Sequence, residues 1–259
     1  MSKEICWLMT THCNQSCKYC HRFLDINDLS DIEYHQILEK LITYKVDYIT
    51  LGGGEALLIN NIEQLINKMY NAKIRIKLVT NGLLITPKLK RTILNKISNI
   101  TFSIDSLNEI TNENLGRGKN HYENIRASLD LLNSMKNPPE VCINTVITKI
   151  NIVDIQEFPD FLKKYNIKQW RIFRFCPIRE LSLKNREHFE ITNDNFKKIK
   201  EFIKNINLKI NVKFRDYDEM DSEYLLITPK GELCVSVNNK DQIVGNMIHD
   251  NLSKYFKLD

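Results

Sequence analysis

Apolar residues along this chain of 259 residues follow two rhythms that alternate as far as about residue 175. Short runs rich in β-branched and aromatic residues read as strands: Glu4–Met9, Val46–Leu51, Ile74–Val79, Ile100–Ile104, Val141–Thr148 and Gln169–Phe175. Between them apolar residues recur every three or four positions, as Ile37, Leu38, Leu41 and Ile42 do. That spacing predicts amphipathic helices over about 30–44, 60–70, 122–135 and 153–165. Ser30-Asp31-Ile32-Glu33 opens the first of these as a capping box, and Thr86-Pro87 reads as an N-cap with proline at the first helical position. Strands each followed by helical sequence are the signature of parallel βαβ units. The expected fold is α/β, a partial (β/α)6 barrel open on one side.

After Phe175 the rhythm breaks. Cys176–Glu190 is charged and irregular, Asn193–Ile206 is helical, and short strands follow near Lys209–Phe214, Tyr224–Thr228 and Glu232–Val237. Pro229-Lys230-Gly231 makes the last two a hairpin. Residues 1–206 are expected to form the barrel, and 207–259 an α+β extension that caps it within the same structural unit.

Composition narrows the picture only a little. The hydrophobic and charged fractions, 42% and 27%, are those of a soluble protein, and the net charge of +5 comes from dispersed lysines. Such a charge tolerates an anionic substrate without implying nucleic-acid binding. No apolar run is long enough to span a membrane, and the first strand starts at Glu4, so neither a membrane partner nor a leader is expected. Cys6, Cys142, Cys176 and Cys234 sit singly in apolar segments as reduced thiols do, so a cytoplasmic location is expected.

The unusual residues gather where strands end, which is where parallel α/β folds place function. They are Cys13-Asn14-Gln15-Ser16-Cys17-Lys18-Tyr19-Cys20, Gly52-Gly53-Gly54-Glu55, Thr80-Asn81-Gly82 and Asp105-Ser106. Three thiols at that spacing are neither the paired units of a zinc ribbon nor a two-sulfur redox motif. They suit three corners of a [4Fe-4S] cluster whose fourth iron keeps an open position. Zinc with a distant fourth ligand, on a binding or scaffold protein, is the alternative from another class.

The cysteine motif with its strand-end partners resembles that of the radical S-adenosylmethionine (SAM) enzymes. The resemblance implies a cluster on Cys13, Cys17 and Cys20, with SAM as second cofactor. Gly53, Gly54 and Glu55 would meet the methionine amine, although Ala56 stands where the family usually has proline. Tyr19 would lie beside the adenine, Ser103 and Asp105 would contact ribose or carboxylate, and Thr80 and Asn81 continue the series.

A narrower likeness, to the viperin family of nucleotide-modifying enzymes, runs through most of the chain. It is carried by Ser103-Ile104-Asp105-Ser106, Leu115-Gly116-Arg117-Gly118-Lys119-Asn120-His121-Tyr122-Glu123-Asn124, Ile143-Asn144-Thr145-Val146-Ile147, Trp170-Arg171-Ile172-Phe173, Phe189-Glu190-Ile191 and Tyr224-Leu225-Leu226-Ile227. It implies dehydration of a nucleoside triphosphate to its 3′-deoxy-3′,4′-didehydro form, in antiviral defence. A flavodoxin- or ferredoxin-type electron donor would serve the cluster. By the same resemblance Arg117 holds the SAM carboxylate, Asn144 and Tyr224 stand at the reacting substrate, and Lys119, His121, Arg171 and Arg174 bind it. The match departs where Cys142 and Gln169 replace basic residues and Glu223 intrudes before Tyr224. A triphosphate needs fixed cations, which Arg171, Arg174, Arg179 and Lys119 could supply. The alternative is a radical SAM enzyme acting on a peptide or another small metabolite. Peptide-modifying relatives carry extra C-terminal cysteines, and here Cys234 stands alone in that region.

Overall fold

The computed structural model describes residues 3–24, 26–85, 89, 91–217, 224–237 and 240–256. The expected N-cap at Thr86-Pro87 lies outside them. The strands along the chain are β1 (Glu4–Thr10), β2 (Tyr48–Gly53), β3 (Arg75–Thr80), β4 (Asn99–Ser103), β5 (Glu140–Ile147), β6 (Ile167–Arg174), β7 (Asn211–Arg215), β8 (Tyr224–Ile227), β9 (Glu232–Val237) and β10 (Lys240–Asn246). They form one sheet in the order β10-β9-β8-β1-β2-β3-β4-β5-β6-β7. β1 to β7 are parallel neighbours, β8 lies parallel to the other side of β1, and β9 and β10 follow antiparallel. The late strands therefore extend the barrel sheet at both of its edges, and the sheet does not close.

Each parallel strand from β1 to β6 buries one face. Trp7 and Met9 of β1, Leu78 of β3, Phe102 of β4 and Trp170 of β6 are at 0% exposure, in one core with helix residues such as Ile37, Leu65 and Phe158. A side chain buried this fully contributes about 1.5–3 kcal/mol. The intervening residues face the other way, toward a lumen, and most of them remain partly exposed, though Thr101 and Cys142 are buried. Cross-strand register stacks them in rungs: Cys6, Thr50, Lys77 and Asn99 on one, Ser103, Asn144 and Arg171 on a higher one.

Helices form where predicted over Asp31–Thr43, Ile62–Asn71, His121–Asn133 and Asn193–Asn205. The Ser30–Glu33 capping box is present, with Ser30 N donating to Glu33 at 2.7 Å. The strand β10 was not expected, and three helical segments differ from expectation. The single helix over 153–165 is a 3-10 turn, Asp154–Glu157, followed by a short helix, Phe158–Leu162. Pro159, which lacks an N–H, fits only the first turn of that second piece. The irregular 176–190 segment holds two short helices, Glu180–Lys184 and Arg186–Phe189. The helix Glu109–Leu115 was unforeseen, although Asn108 caps it and Gly116 ends it at φ 86°.

Candidate active site

The cysteine loop leaves β1 and is held from two sides. From β2, Gly54 N donates to Thr10 O at 2.7 Å and Glu55 N to His12 O at 2.8 Å. From the helix Glu109–Leu115, Gly116 O and Leu115 O accept from Ser16 N (3.0 Å) and Lys18 N (3.1 Å). A Cβ on Gly54 would lie 2.0 Å from His12 O, and one on Gly116 2.3 Å from Ser16 O. The glycines therefore let backbone pass over backbone at a distance no side chain permits.

So fixed, Cys13, Cys17 and Cys20 line one cavity of about 280 Å³ at the C-terminal ends of the strands. All three are free thiols. Burial raises the pKa of Cys13, and it pushes Cys17 up to about 11 against the positive charge of Arg117. Among the described residues no three Cys, His, Asp or Glu side chains converge as a single metal ion would require. Three thiols lining one cavity suit separate corners of a cluster.

Across the cavity Asp105 and Arg117 form a buried pair at 1% and 6% side-chain exposure. Arg117 Nε lies 2.8 Å from Asp105 Oδ2, and Asp105 Oδ1 accepts from Val146 N at 2.7 Å. Tyr19 donates its hydroxyl to Asp105, and the Arg117 guanidinium sits 5.8 Å from the Tyr19 ring centroid. Burial, with the charge of Asp105, holds the Tyr19 phenol well above its ordinary pKa. For Arg117 burial opposes the charge, but Asp105, Tyr19 and Cys17 together outweigh it and the guanidinium stays protonated. Gln15, inside the cysteine loop, accepts from Arg117 at 3.1 Å and donates to Arg117 O at 2.7 Å and His121 Nδ1 at 2.9 Å. His121 is thus neutral, with Nε2–H donating to Ser103 O at 3.2 Å, and burial lowers its pKa to about 3.

The same cavity is lined by Gly53, Gly54, Thr80, Asn81, Ser103 and Asn144. Asn81 Nδ2 reaches Asn14 Oδ1 at 2.7 Å and Cys13 Sγ at 3.7 Å, so it also braces the cysteine loop. Below it lies the lumen, about 1080 Å³, with Cys20, Arg22, Gly53 and Val79 shared between the two spaces.

The structure places the other expected residues as follows. Glu55 is fully buried and does not line the cavity; it accepts from Thr80 Oγ1 (2.9 and 3.0 Å) and Asn81 N (2.9 Å), and so organises the end of β3. His121 lines neither space, being enclosed by Gln15 and Ser103, and Lys119 is exposed on the loop before it. Arg174 reaches the upper cavity, but its guanidinium is committed to Asn193 (2.5 Å), Ile191 O (2.8 Å) and Asp216 (3.3 Å). The two-residue period of β6 explains this: Arg171 faces the lumen and Phe173 the cavity above it, while Arg174 is on the buried face. Arg179 pairs with Asp241 of β10 and donates to His21 O at 2.9 Å. Tyr224 opens β8, but its side chain lies outside the described residues. In the place of the missing bases, Cys142 is buried and accepts from Asn99 Nδ2 at 3.1 Å.

Sequence reasoning overlooked Gln15, Glu4, Lys77 and Arg215. Nothing in its spacing marks Gln15 as a hub. For the others a signal existed: Arg75-Ile76-Lys77-Leu78 alternates charge with apolar bulk, which in a parallel strand marks one face turned to a wet interior.

A radical SAM superfamily model matches residues 7–162. A protein of Flammeovirga pacifica named S-adenosylmethionine-dependent nucleotide dehydratase is 26% identical over 95% of this chain and 86% of its own length. One of the same name from a Thermoplasmatales archaeon is 26% identical over 86% of this chain and 79% of its own. Another from Lacinutrix mariniflava is 26% identical, and the chain spans 47% of its length. In fold, the chain is similar to SuiB of Streptococcus suis bound to S-adenosylmethionine, with TM-score 0.75 at 17% identity, over 99% of this chain and 66% of that one. It is also similar to anSMEcpe with bound AdoMet, TM-score 0.71 at 15% identity, over 99% and 80%. A family match across most of the barrel, on a partial barrel whose clustered cysteines open into one cavity, places the chain among the enzymes that use a [4Fe-4S] cluster and SAM: it belongs to the radical SAM superfamily.

Proposed function

We propose that this enzyme dehydrates a nucleotide to its 3′-deoxy-3′,4′-didehydro form, in the manner its viperin-like sequence suggests. The observation that carries this reading is that the cofactor cavity shares lining residues with a lumen that bears cations. It is supported by the names of the relatives matched over most of the chain. When bound, the cluster and SAM supply one electron and a 5′-deoxyadenosyl radical that takes a hydrogen atom. For the substrate the balance is loss of hydrogen from C4′, loss of the 3′ hydroxyl with a proton as water, and gain of one electron. A small flavodoxin- or ferredoxin-type protein would provide the electrons.

Cys13, Cys17 and Cys20 would hold the cluster, and Ser103, Asp105, Arg117 and Tyr19 would face SAM. Asn144 and Arg171, on the same rung as Ser103, would meet the substrate. A product without a 3′ hydroxyl gives a polymerase nothing to extend, which is the chemical basis for an antiviral role. The test is anaerobic turnover of the reconstituted enzyme with ATP, CTP, GTP and UTP in turn. One of them should stimulate 5′-deoxyadenosine formation and yield a nucleotide lighter by one water; stimulation by none would sink the proposal.

A further inference from the structure

Besides Lys3, Arg22 and Arg179, the lumen carries charges on two sides. On the side of β1 to β3, Lys77 Nζ lies 2.7 Å from both carboxylate oxygens of Glu4, and Thr50 Oγ1 donates to Glu4 at 3.2 Å. On the side of β6 and β7, Arg171 and Arg215 face the same space. Neither makes an ion pair with a carboxylate among the described residues. Arg171 is held in place by neutral groups, Gln169 Oε1 at 2.6 Å and Asn144 Oδ1 at 3.4 Å.

These two sides offer different chemistry. A phosphate needs cations whose charge is not already compensated and no carboxylate beside them. Arg171 and Arg215 meet that description, whereas Lys77 is neutralised by Glu4, which would repel a phosphate. A base edge carries donors and acceptors but no charge. Glu4 and Thr50 next to Lys77 present that complement, and a partly exposed pair of this kind is weak enough in water to open for a ligand. Asn144, on the same rung as Arg171, lines the cofactor cavity, and its strand β5 lies between β3 and β6 in the sheet.

We propose that a nucleotide lies across the lumen with its phosphates on Arg171 and Arg215 and its base against Glu4, Lys77 and Thr50, which thereby set the base specificity. This places the ribose near Asn144, which lines the cofactor cavity. It also gives the chain its phosphate grip on β7, which compensates for Cys142 and Gln169 where basic residues were expected. The proposal rests on the nucleotide reading above.

Equilibrium binding to the reconstituted, SAM-loaded enzyme separates the two roles. The four nucleoside triphosphates report base preference. The nucleoside, mono-, di- and triphosphate of the best base report the phosphate contribution. Glu4→Gln and Lys77→Ala should compress the spread among bases by about tenfold and leave the gain from phosphates as it is. Arg171→Ala and Arg215→Ala should each cut the triphosphate gain by about tenfold and leave the order of bases intact. Unchanged SAM affinity in all four variants shows that the barrel is folded. The opposite pattern, with Lys77→Ala abolishing the phosphate gain and the arginine variants sparing it, would reverse the orientation and overturn the proposal. An unchanged base preference in both Glu4→Gln and Lys77→Ala would overturn it as well. If the wild-type enzyme binds no nucleotide at all, the nucleotide reading itself fails, and this proposal with it.

Discussion

Arg117 and Asp105 face each other with almost no access to water, so removing one leaves the other as an uncompensated buried ion. Asp105→Asn is expected to cost about 3–5 kcal/mol in chemical denaturation. It should also weaken SAM binding, because Tyr19 and Arg117 lose the acceptor that orients both. His121 gives a pH dependence with a definite sign. Folded, its pKa is about 3, and unfolded it returns to the ordinary 6.5. Between those values the unfolded chain binds a proton that the folded chain refuses. The contribution is therefore intact above pH 6.5 and is lost as pH falls toward 3, at about 1.4 kcal/mol per pH unit. Denaturation across that range should show a shallower acid loss for His121→Asn than for wild type, and identical slopes would refute the assignment. At this scale the sequence was legible where chemistry is local. The cysteines, Ser103, Asp105 and Arg117 do line one cavity. It was illegible where a motif residue turns away: Glu55 and His121 belong to recognisable patterns, but burial and partners decide which way a side chain points.

Elements were easier to read than their purposes. Strand positions follow from the alternation of buried and lumen residues, and the main helices from their apolar spacing. The Gly-Gly-Gly-Glu stretch was recognisable as a strand end, yet its glycines prove to serve the protein's own backbone, since Gly54 makes room for His12 O. Gly54→Ala must shift the cysteine loop to relieve a 2.0 Å approach, and Gly116→Ala adds the strain of φ 86°. Both variants should fold with a barrel-like circular dichroism spectrum and lose most of their iron on reconstitution, as iron assay would report. Retention of a full iron complement by Gly54→Ala would mean that the loop is not held as described. Pro159 and the Asn108 cap were both available as signals, but a broken helix and a seven-residue helix fall below what periodicity alone resolves.

For the whole molecule, six βαβ units led to a partial barrel, and the structure has that barrel within a sheet of ten strands. What periodicity could not convey is long-range pairing: nothing in Tyr224–Ile227 says that it will lie against β1. That pairing bears on how the chain folds. Ile5 waits for Leu225, so the strand that delivers the cysteine loop remains an open edge until nearly all of the chain has been made. A chain ending after Arg215 would keep that edge permanently and should aggregate on expression where the full chain does not. In refolding followed by pulsed hydrogen exchange, the amides of β1 that face β8 should gain protection last, later than those between β2 and β3. Iron supplied before that moment would meet three cysteines on an unsealed strand, so the order of folding and metal delivery becomes a condition for making the enzyme at all.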